Sequence, residues 1–337
     1  MNNSTLRLLG FVVAILVVTL VVLESGENGE SPASGALLFP DLRAMVNDVD
    51  HLTITKSGVE PIALEKVSGE WWVTARDGYA ADMSDVRAVL LAMTEAKILE
   101  EKTANPEMYE RLGVQGPDIE GGKGTLVSAA AGERSFDVVF GNSVRGSARY
   151  ARIADQAQSW LIDQNPTIPE KVGEWLSPEI VDLDSADVSA VTIVHPDGET
   201  LRISKQAAED TDFEVADIPD GRELSYSTVA NGIAGALNNL MLDDVRKARP
   251  DSGDAIVTRF DTFTGLAVQV RTVKADDENW IAIRAEGSGD AAARADEINE
   301  RVNTWQYRIA DYKANLLTRR WADILKAEEP AEGKATP

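Results

Sequence analysis

The chain has 337 residues, room for about two ordinary domains, and 44% of them are apolar, enough for a sizeable core and too many for global disorder. Acids outnumber bases 56 to 33, a formal charge of −23, which argues against nucleic acid and anionic lipid surfaces as partners because both need clustered Lys and Arg. With no Cys, disulfides, thiolate catalysis, Cys-based zinc sites, Fe–S clusters and lipoprotein acylation are excluded, and the two histidines, His51 and His195, are almost no material for a multi-histidine metal site.

The first element is the run from Leu8 to Leu23, sixteen residues without a charge. As a helix it would span about 24 Å, and Leu6 with a snorkelling Arg7 extends it toward the roughly 30 Å of a hydrocarbon core. A cleavable signal ends at a small-x-small site, whereas this run ends in Glu24-Ser25-Gly26-Glu27. The sequence therefore predicts an uncleaved transmembrane anchor over residues 1–24 with a short cytoplasmic N-terminus. Arg7 before the span and Glu24, Glu27 and Glu30 after it place the body outside the cytoplasm, in a bacterium on the periplasmic side of the inner membrane. Residues 25–45 read as an acidic flexible linker and residues 328–337 as a disordered tail.

Between them lies an internal repeat. Val49-Asp50-His51-Leu52-Thr53-Ile54 matches Val188-Ser189-Ala190-Val191-Thr192-Ile193, and Ile62–Lys66 matches Leu201–Lys205 at the same offset. Ser84 to Glu101 aligns with Ser227 to Asp244, each opening on Ser and carrying apolar residues at helical spacing: Val86, Leu90, Ile98 and Val229, Ile233, Met241. Leu126-Val127-Ser128 with Phe136–Phe140 aligns with Ile256-Val257-Thr258 and Leu266–Val270, and the copies close on Tyr150–Ile153 and Trp280–Ile283. Period-two alternation predicts half-buried strands, the Ser-led segments predict capped helices, and short connections such as His195-Pro196-Asp197-Gly198 favour antiparallel hairpins. The modules are set at residues 46–185 and 186–289.

From Ala291 to Lys326 Gly is absent, and Ile298, Val302, Trp305, Ile309, Tyr312 and Leu316 recur at spacings of four and three. That seam predicts a long C-terminal helical segment over 290–327, docked on the modules or offered to a partner. The expected fold is α+β: an N-terminal transmembrane helix, two repeated modules of mainly antiparallel strands with one helix each, and the long C-terminal helical segment.

Catalytic motifs are sought and not found. Gly116–Gly124 fails the phosphate-loop spacing at Pro117 and Gly124 and reads as a turn before a strand. Asp182-Leu183-Asp184-Ser185-Ala186-Asp187 lacks the central Gly and terminal Glu of a calcium loop and reads as an acidic linker. His195 falls at a hairpin turn that would expose its ring, and no Gly-x-Ser-x-Gly elbow supplies a nucleophile. His51 starts a strand with no evident partner. Trp71, Trp72, Trp160, Trp175 and Trp280 on or near strands read as core first and ligand platform second. Carboxylates are abundant enough for a glycosidase pair, but no pair stands out. No catalytic, cofactor-binding or metal residue is nominated.

Gly69-Glu70-Trp71-Trp72-Val73, Ala80–Val86 with Leu90-Leu91, and Tyr109–Pro117 resemble the domain of unknown function 4340 family, as does the closing Trp305–Ala314. The resemblance spans residues 46–326. That family tends to carry Pro where Ala310 stands, which implies a break in the helix there, and the second copy has Arg249–Gly253 in place of the Gly-Leu-x-x-Pro turn. The resemblance implies a single-span, non-cytoplasmic protein associated with ABC-type transport components of the gliding-motility or multidrug kind, and it carries over no catalytic residue. The expected function is a membrane-anchored periplasmic accessory or binding protein without catalytic activity, partnered by a membrane protein such as an ABC transporter component. The alternatives are an envelope-polymer hydrolase with a carboxylate pair between the repeats, and a small-molecule binding module.

Overall fold

A computed structural model describes residues 34–249 and 254–327. In chain order the first part holds α1 (Pro40–Met45), β1 (His51–Thr55), β2 (Ile62–Val67), β3 (Glu70–Val73), β4 (Tyr79–Ala80), α2 (Met83–Glu95), β5 (Ile98–Glu101), α3 (Tyr109–Leu112), β6 (Thr125–Ala131), β7 (Arg134–Ser143), β8 (Arg149–Ile153) and β9 (Ser159–Ile162). After β10 (Glu179–Val181) come β11 (Val188–Val194), β12 (Thr200–Ser204), β13 (Glu214–Val215), α4 (Val229–Ala234), β14 (Leu240–Met241) and β15 (Asp244–Lys247). The chain closes with β16 (Ile256–Thr262), β17 (Leu266–Ala275), β18 (Glu278–Gly287), α5 (Ala291–Val302), β19 (Trp305–Arg308), α6 (Asp311–Leu317) and α7 (Trp321–Ile324).

The strands build two antiparallel sheets of one design. The first runs β4-β3-β2-β1-β6-β7-β8-β9-β5 and the second β13-β12-β11-β16-β17-β18-β19-β15. In register, the row Ile54–Val127–Val138–Ile153 of the first sheet corresponds to Ile193–Thr258–Val270–Ile283 of the second. Local sequence sets these ladders. β6 buries every second residue, Thr125, Val127, Ala129 and Ala131. Ser68 and Gly69, both at positive φ, close the two-residue turn between β2 and β3, and Asp276 and Asp277 do the same between β17 and β18.

The structure corrects the α+β expectation. Sheet dominates, and among the described residues only α2 and α5, of 13 and 12 residues, are longer than seven. α2 starts from an Asp82 cap that accepts from the Ser84 amide at 2.8 Å, and it buries Val86, Val89, Leu90 and Met93. It ends at Glu95, and Ile98 begins β5 instead of continuing the helix. Its counterpart α4 is six residues long: Gly232 weakens the helical preference within it, Gly235 caps its end, and Asn239 at φ +46° turns the chain beyond.

The long C-terminal helix expected over 290–327 is not formed. α5 stops at Val302, and Trp305-Gln306-Tyr307-Arg308 turns into β19, paired with β18 on one side and β15 on the other. Tyr307 in β19 and Ile309 just after it are buried at 0% and 2% exposure, so the apolar seam is met by a helix followed by a strand. Ala310 then takes φ −58° and ψ 140°, a conformation open to proline, and α6 begins after it. No described helix is long and apolar enough to cross a membrane. The predicted anchor at Leu8–Leu23 and the tail at 328–337 lie outside the described residues.

The two sheets share one hydrophobic core. Residues 171–181 run between them. On one side the Asp82 amide donates to the Trp175 carbonyl at 2.8 Å and the Ser177 amide to Ala80 at 2.9 Å. On the other, the Leu242 amide donates to Pro178 at 2.9 Å, and β10 pairs with β14. Trp175 is fully buried, with its indole N–H donating to the Pro169 carbonyl at 3.2 Å. Gly173 is obligatory here, since a Cβ would lie 2.3 Å from the Asp243 carbonyl oxygen. Tyr79 meets Trp305 and Tyr307 edge-on at 5.1 and 6.1 Å, and Arg76 makes a two-pronged ion pair with Asp244 at 2.5 and 2.9 Å.

Candidate functional site

Most of the residues singled out by sequence hold the fold. His51 lies at the start of β1, half-exposed, with Nδ1 2.7 Å from Asp50 Oδ1 and Nε2 4.0 Å from Glu65. His195, expected at an exposed turn, is buried at 2% exposure, and its Nε2 is 3.1 Å from the Arg319 carbonyl. The reason is the C-terminal segment, which crosses the β11–β12 hairpin and is fixed there by Arg320 to Asp197 and Glu199 at 2.8 and 2.6 Å. Trp71, Trp160, Trp175 and Trp280 are core residues and Trp72 is partly buried, so these tryptophans do not make an exposed platform.

The glycine-rich loop spends its amides internally: Gly122 to the Ile119 carbonyl at 2.8 Å and Gly124 to Gln115 at 3.1 Å. Asp182 and Asp184 accept from the Asn239 and Ala186 amides at 2.7 and 2.9 Å. In the Tyr109–Pro117 motif, Gly113 takes φ +70° to end α3, and Tyr109 donates its hydroxyl to the Ala157 carbonyl. The guanidinium of Arg152 lies 4.9 Å over the Tyr109 ring and is held by the carbonyls of Val114, Ala154 and Gln156 at 3.2, 2.6 and 3.1 Å. The motif is a lock that folds this loop onto the sheet. Every one of these polar groups has its partner inside the chain.

Two pockets remain. One, of about 410 Å³, lies beside Lys205, Asp210, Asp212 and Glu214. Its lysine is already satisfied, with Nζ 2.9 Å from the Ala186 carbonyl, 3.3 Å from Ala208 and 3.4 Å from Asp210.

The other differs in kind. It measures about 270 Å³, opens where β1, β6, β7 and β8 end, and is lined by Lys56, Thr125, Ser143, Arg149, Asn165 and Glu170 among others. Residues after β9 fold back over it. Lys56 Nζ pairs with Glu170 at 2.5 Å, and the Ser143 hydroxyl donates to Asn165 Oδ1 at 2.9 Å. The Lys56 ammonium holds the Glu170 carboxyl below the ordinary carboxylate range. Arg149 has far less. Its Nη1 donates to the Pro166 carbonyl at 3.0 Å and its guanidinium sits 5.8 Å from the Phe140 ring centre, but Nε is shut from solvent without a partner. Burial lowers its pKa, with no acid raising it.

Among families of known proteins, the model described as Domain of unknown function (DUF4340) matches residues 71–262, more than half of the chain. The chain belongs to this family. The DUF4340 match starts at Trp71 in β3 and ends at Thr262, the last residue of β16, so it crosses the joint and takes in part of each sheet. No curated protein and no solved structure matches the chain. The pocket residues Thr125, Ser143, Arg149, Asn165 and Glu170 fall within the DUF4340 match, and Lys56 precedes it.

Sequence reasoning did not single out Arg149 or Lys56. A base at the end of a strand, as Arg149 opens β8 and Lys56 follows β1, carries no local mark of burial. The available signal was the repeat itself: in register, Arg149 stands where the second copy has the uncharged Asn279, and Lys56 where it has His195.

Proposed function

We propose that this DUF4340 protein is a membrane-anchored accessory or binding protein without catalytic activity, working on the periplasmic side of a bacterial inner membrane beside an ABC-type transport or envelope system. The observation that carries the reading is the filled joint. An envelope-polymer hydrolase built from two repeats would hold its carboxylate pair in a cleft between them. Here that position is occupied by Tyr79, Trp175, Trp305 and Tyr307 and by the Arg76–Asp244 pair. A rigid double sheet of this kind is suited to presenting surfaces and strand edges to another protein.

The anchor supports the reading from the sequence side. The chain joins the first sheet at residues 35–38, where the Gly35 and Leu38 amides donate to Ile98 and Ala96 along the edge of β5. The stretch between Leu23 and Gly35 can reach at most about 40 Å, so the first sheet would stay close to the membrane and its partner. Tethering of that kind raises local concentration and lets each contact be weak.

The test is a crosslinked, detergent-solubilised pull-down of the full-length chain beside a version lacking residues 1–36, read by mass spectrometry. Enrichment of an ABC permease or ATPase with the anchored form is the expected result. Recovery of soluble periplasmic material alone, or of nothing, would remove the transport reading.

A further inference from the structure

We infer that the pocket at the open end of the first sheet binds a small oxyanion, a carboxylate or phosphoryl group, with Arg149 as its principal ligand and Lys56 at its mouth. The inference is independent of the accessory reading above.

It begins with Arg149. A guanidinium offers five N–H donors, and this one spends a single hydrogen bond on a neutral carbonyl. Arg152, the neighbouring half-buried Arg without a carboxylate, is held by the carbonyls of Val114, Ala154 and Gln156, whereas Arg149 has one carbonyl and a buried Nε with no partner. The one acid lining the pocket, Glu170, is taken by Lys56, so Arg149 leaves the lining with one uncompensated positive charge. The other walls add two donors, the Thr125 hydroxyl and Asn165 Nδ2, which is free among the described residues because the Ser143 hydroxyl donates its one proton to Asn165 Oδ1. A cluster of donors around an unpaired guanidinium fits an oxyanion and repels a cation. At about 270 Å³ the pocket takes a small molecule or the acidic end of a larger one.

The second sheet supplies an internal control. At the place corresponding to Arg149, Asn279 donates to Asp311 Oδ1 at 3.0 Å, so the chain brings its own carboxylate to that end of the sheet. α6 follows and docks on β16, with the Thr258 hydroxyl donating to the Leu317 carbonyl at 2.5 Å. In the first sheet the returning segment, residues 163–171, has neither the helix nor a carboxylate for Arg149. The missing acid is the one the ligand would bring.

The experiment is calorimetric titration of the full-length chain in detergent with sodium phosphate and, separately, sodium acetate, at ionic strength held constant with sodium chloride. At least one probe is expected to bind saturably at one site per chain. Arg149→Gln should weaken that binding about tenfold or more, because it removes a charge-assisted fork. Arg149→Lys, which keeps the charge and loses the fork, should fall between the two and guards against misfolding of the first variant. Binding of acetate alone assigns a carboxylate, of phosphate alone a phosphoryl group, and of both a shared site. Absence of saturable binding by either probe, or binding equal in wild type and both variants, would overturn the inference.

Discussion

Beyond its last strand each sheet sends the chain back over the open ends of its first strands, and the two copies use different material. In the second sheet the returning chain is helical. α6 packs Ala314 and Leu317 into the core, Lys313 Nζ reaches the Ala236 and Asn238 carbonyls at 3.0 and 2.6 Å, and Arg319 covers His195. In the first sheet it is extended, ties to Lys56 through Glu170, and leaves a pocket around Arg149. Duplication has given the two sheets the same ladder and different ends. Strand order is set by backbone pairing and alternation, which tolerate many sequences. What closes a sheet end depends on a few side chains, and there the copies can diverge without cost to the ladder.

The contrast can be broken hardest at the joint. Trp175→Ala should cost about 3–5 kcal/mol, since a fully buried indole and its hydrogen bond to Pro169 are lost together; chemical denaturation of the variant measures it. Leu317→Ala should cost about 2–4 kcal/mol by the same measurement, because Leu317 is fully buried where α6 closes the second sheet.

Asp244→Asn should cost about 2 kcal/mol at neutral pH, because it removes the charge-assisted pair that ties β15 to Arg76. This pair also carries a pH signature. Burial alone would raise the Asp244 carboxyl, but the hydrogen bonds from Arg76 and the Val245 amide hold it below the ordinary range. A carboxyl depressed in the folded state contributes fully above its unfolded value, about 4, and that contribution is lost as pH falls through the folded value. Unfolding free energies of wild type and Asp244→Asn should therefore differ most above about pH 4 and converge in stronger acid. A difference that grows on acidification would refute the assignment. Smallest of the set is Thr258→Val, which installs the residue found at the corresponding Val127 and leaves the Leu317 carbonyl without its donor; a loss of about 1 kcal/mol is expected in thermal unfolding.

The pattern of what the sequence revealed follows the same division. Alternation in His51–Thr55 and Val188–Val194 reflects burial on one face, a local property that can be read from a short segment. The C-terminal seam misled because Ile298 and Val302 on α5 and Trp305 and Ile309 at β19 satisfy one spacing with two kinds of structure. Only pairing with Asp244–Lys247, some sixty positions earlier, distinguishes them, and that partner is invisible to a local period. His195 was misplaced for the same reason, since the Arg319 carbonyl that covers it comes from 124 positions away. Arg149 could not be recognised as unpaired until the fold had shown which acids stay out of its reach.

The most direct test of the account is whether the two like sheets behave as one body. Hydrogen exchange of the full-length chain, read by mass spectrometry in graded urea, would follow peptides from β1 and β6 beside peptides from β16 and β17. If the joint at Trp175, Tyr79 and Arg76–Asp244 unites them, both sets lose protection at the same denaturant concentration. Loss of protection in one sheet while the other stays closed would show two independent domains and contradict the shared core.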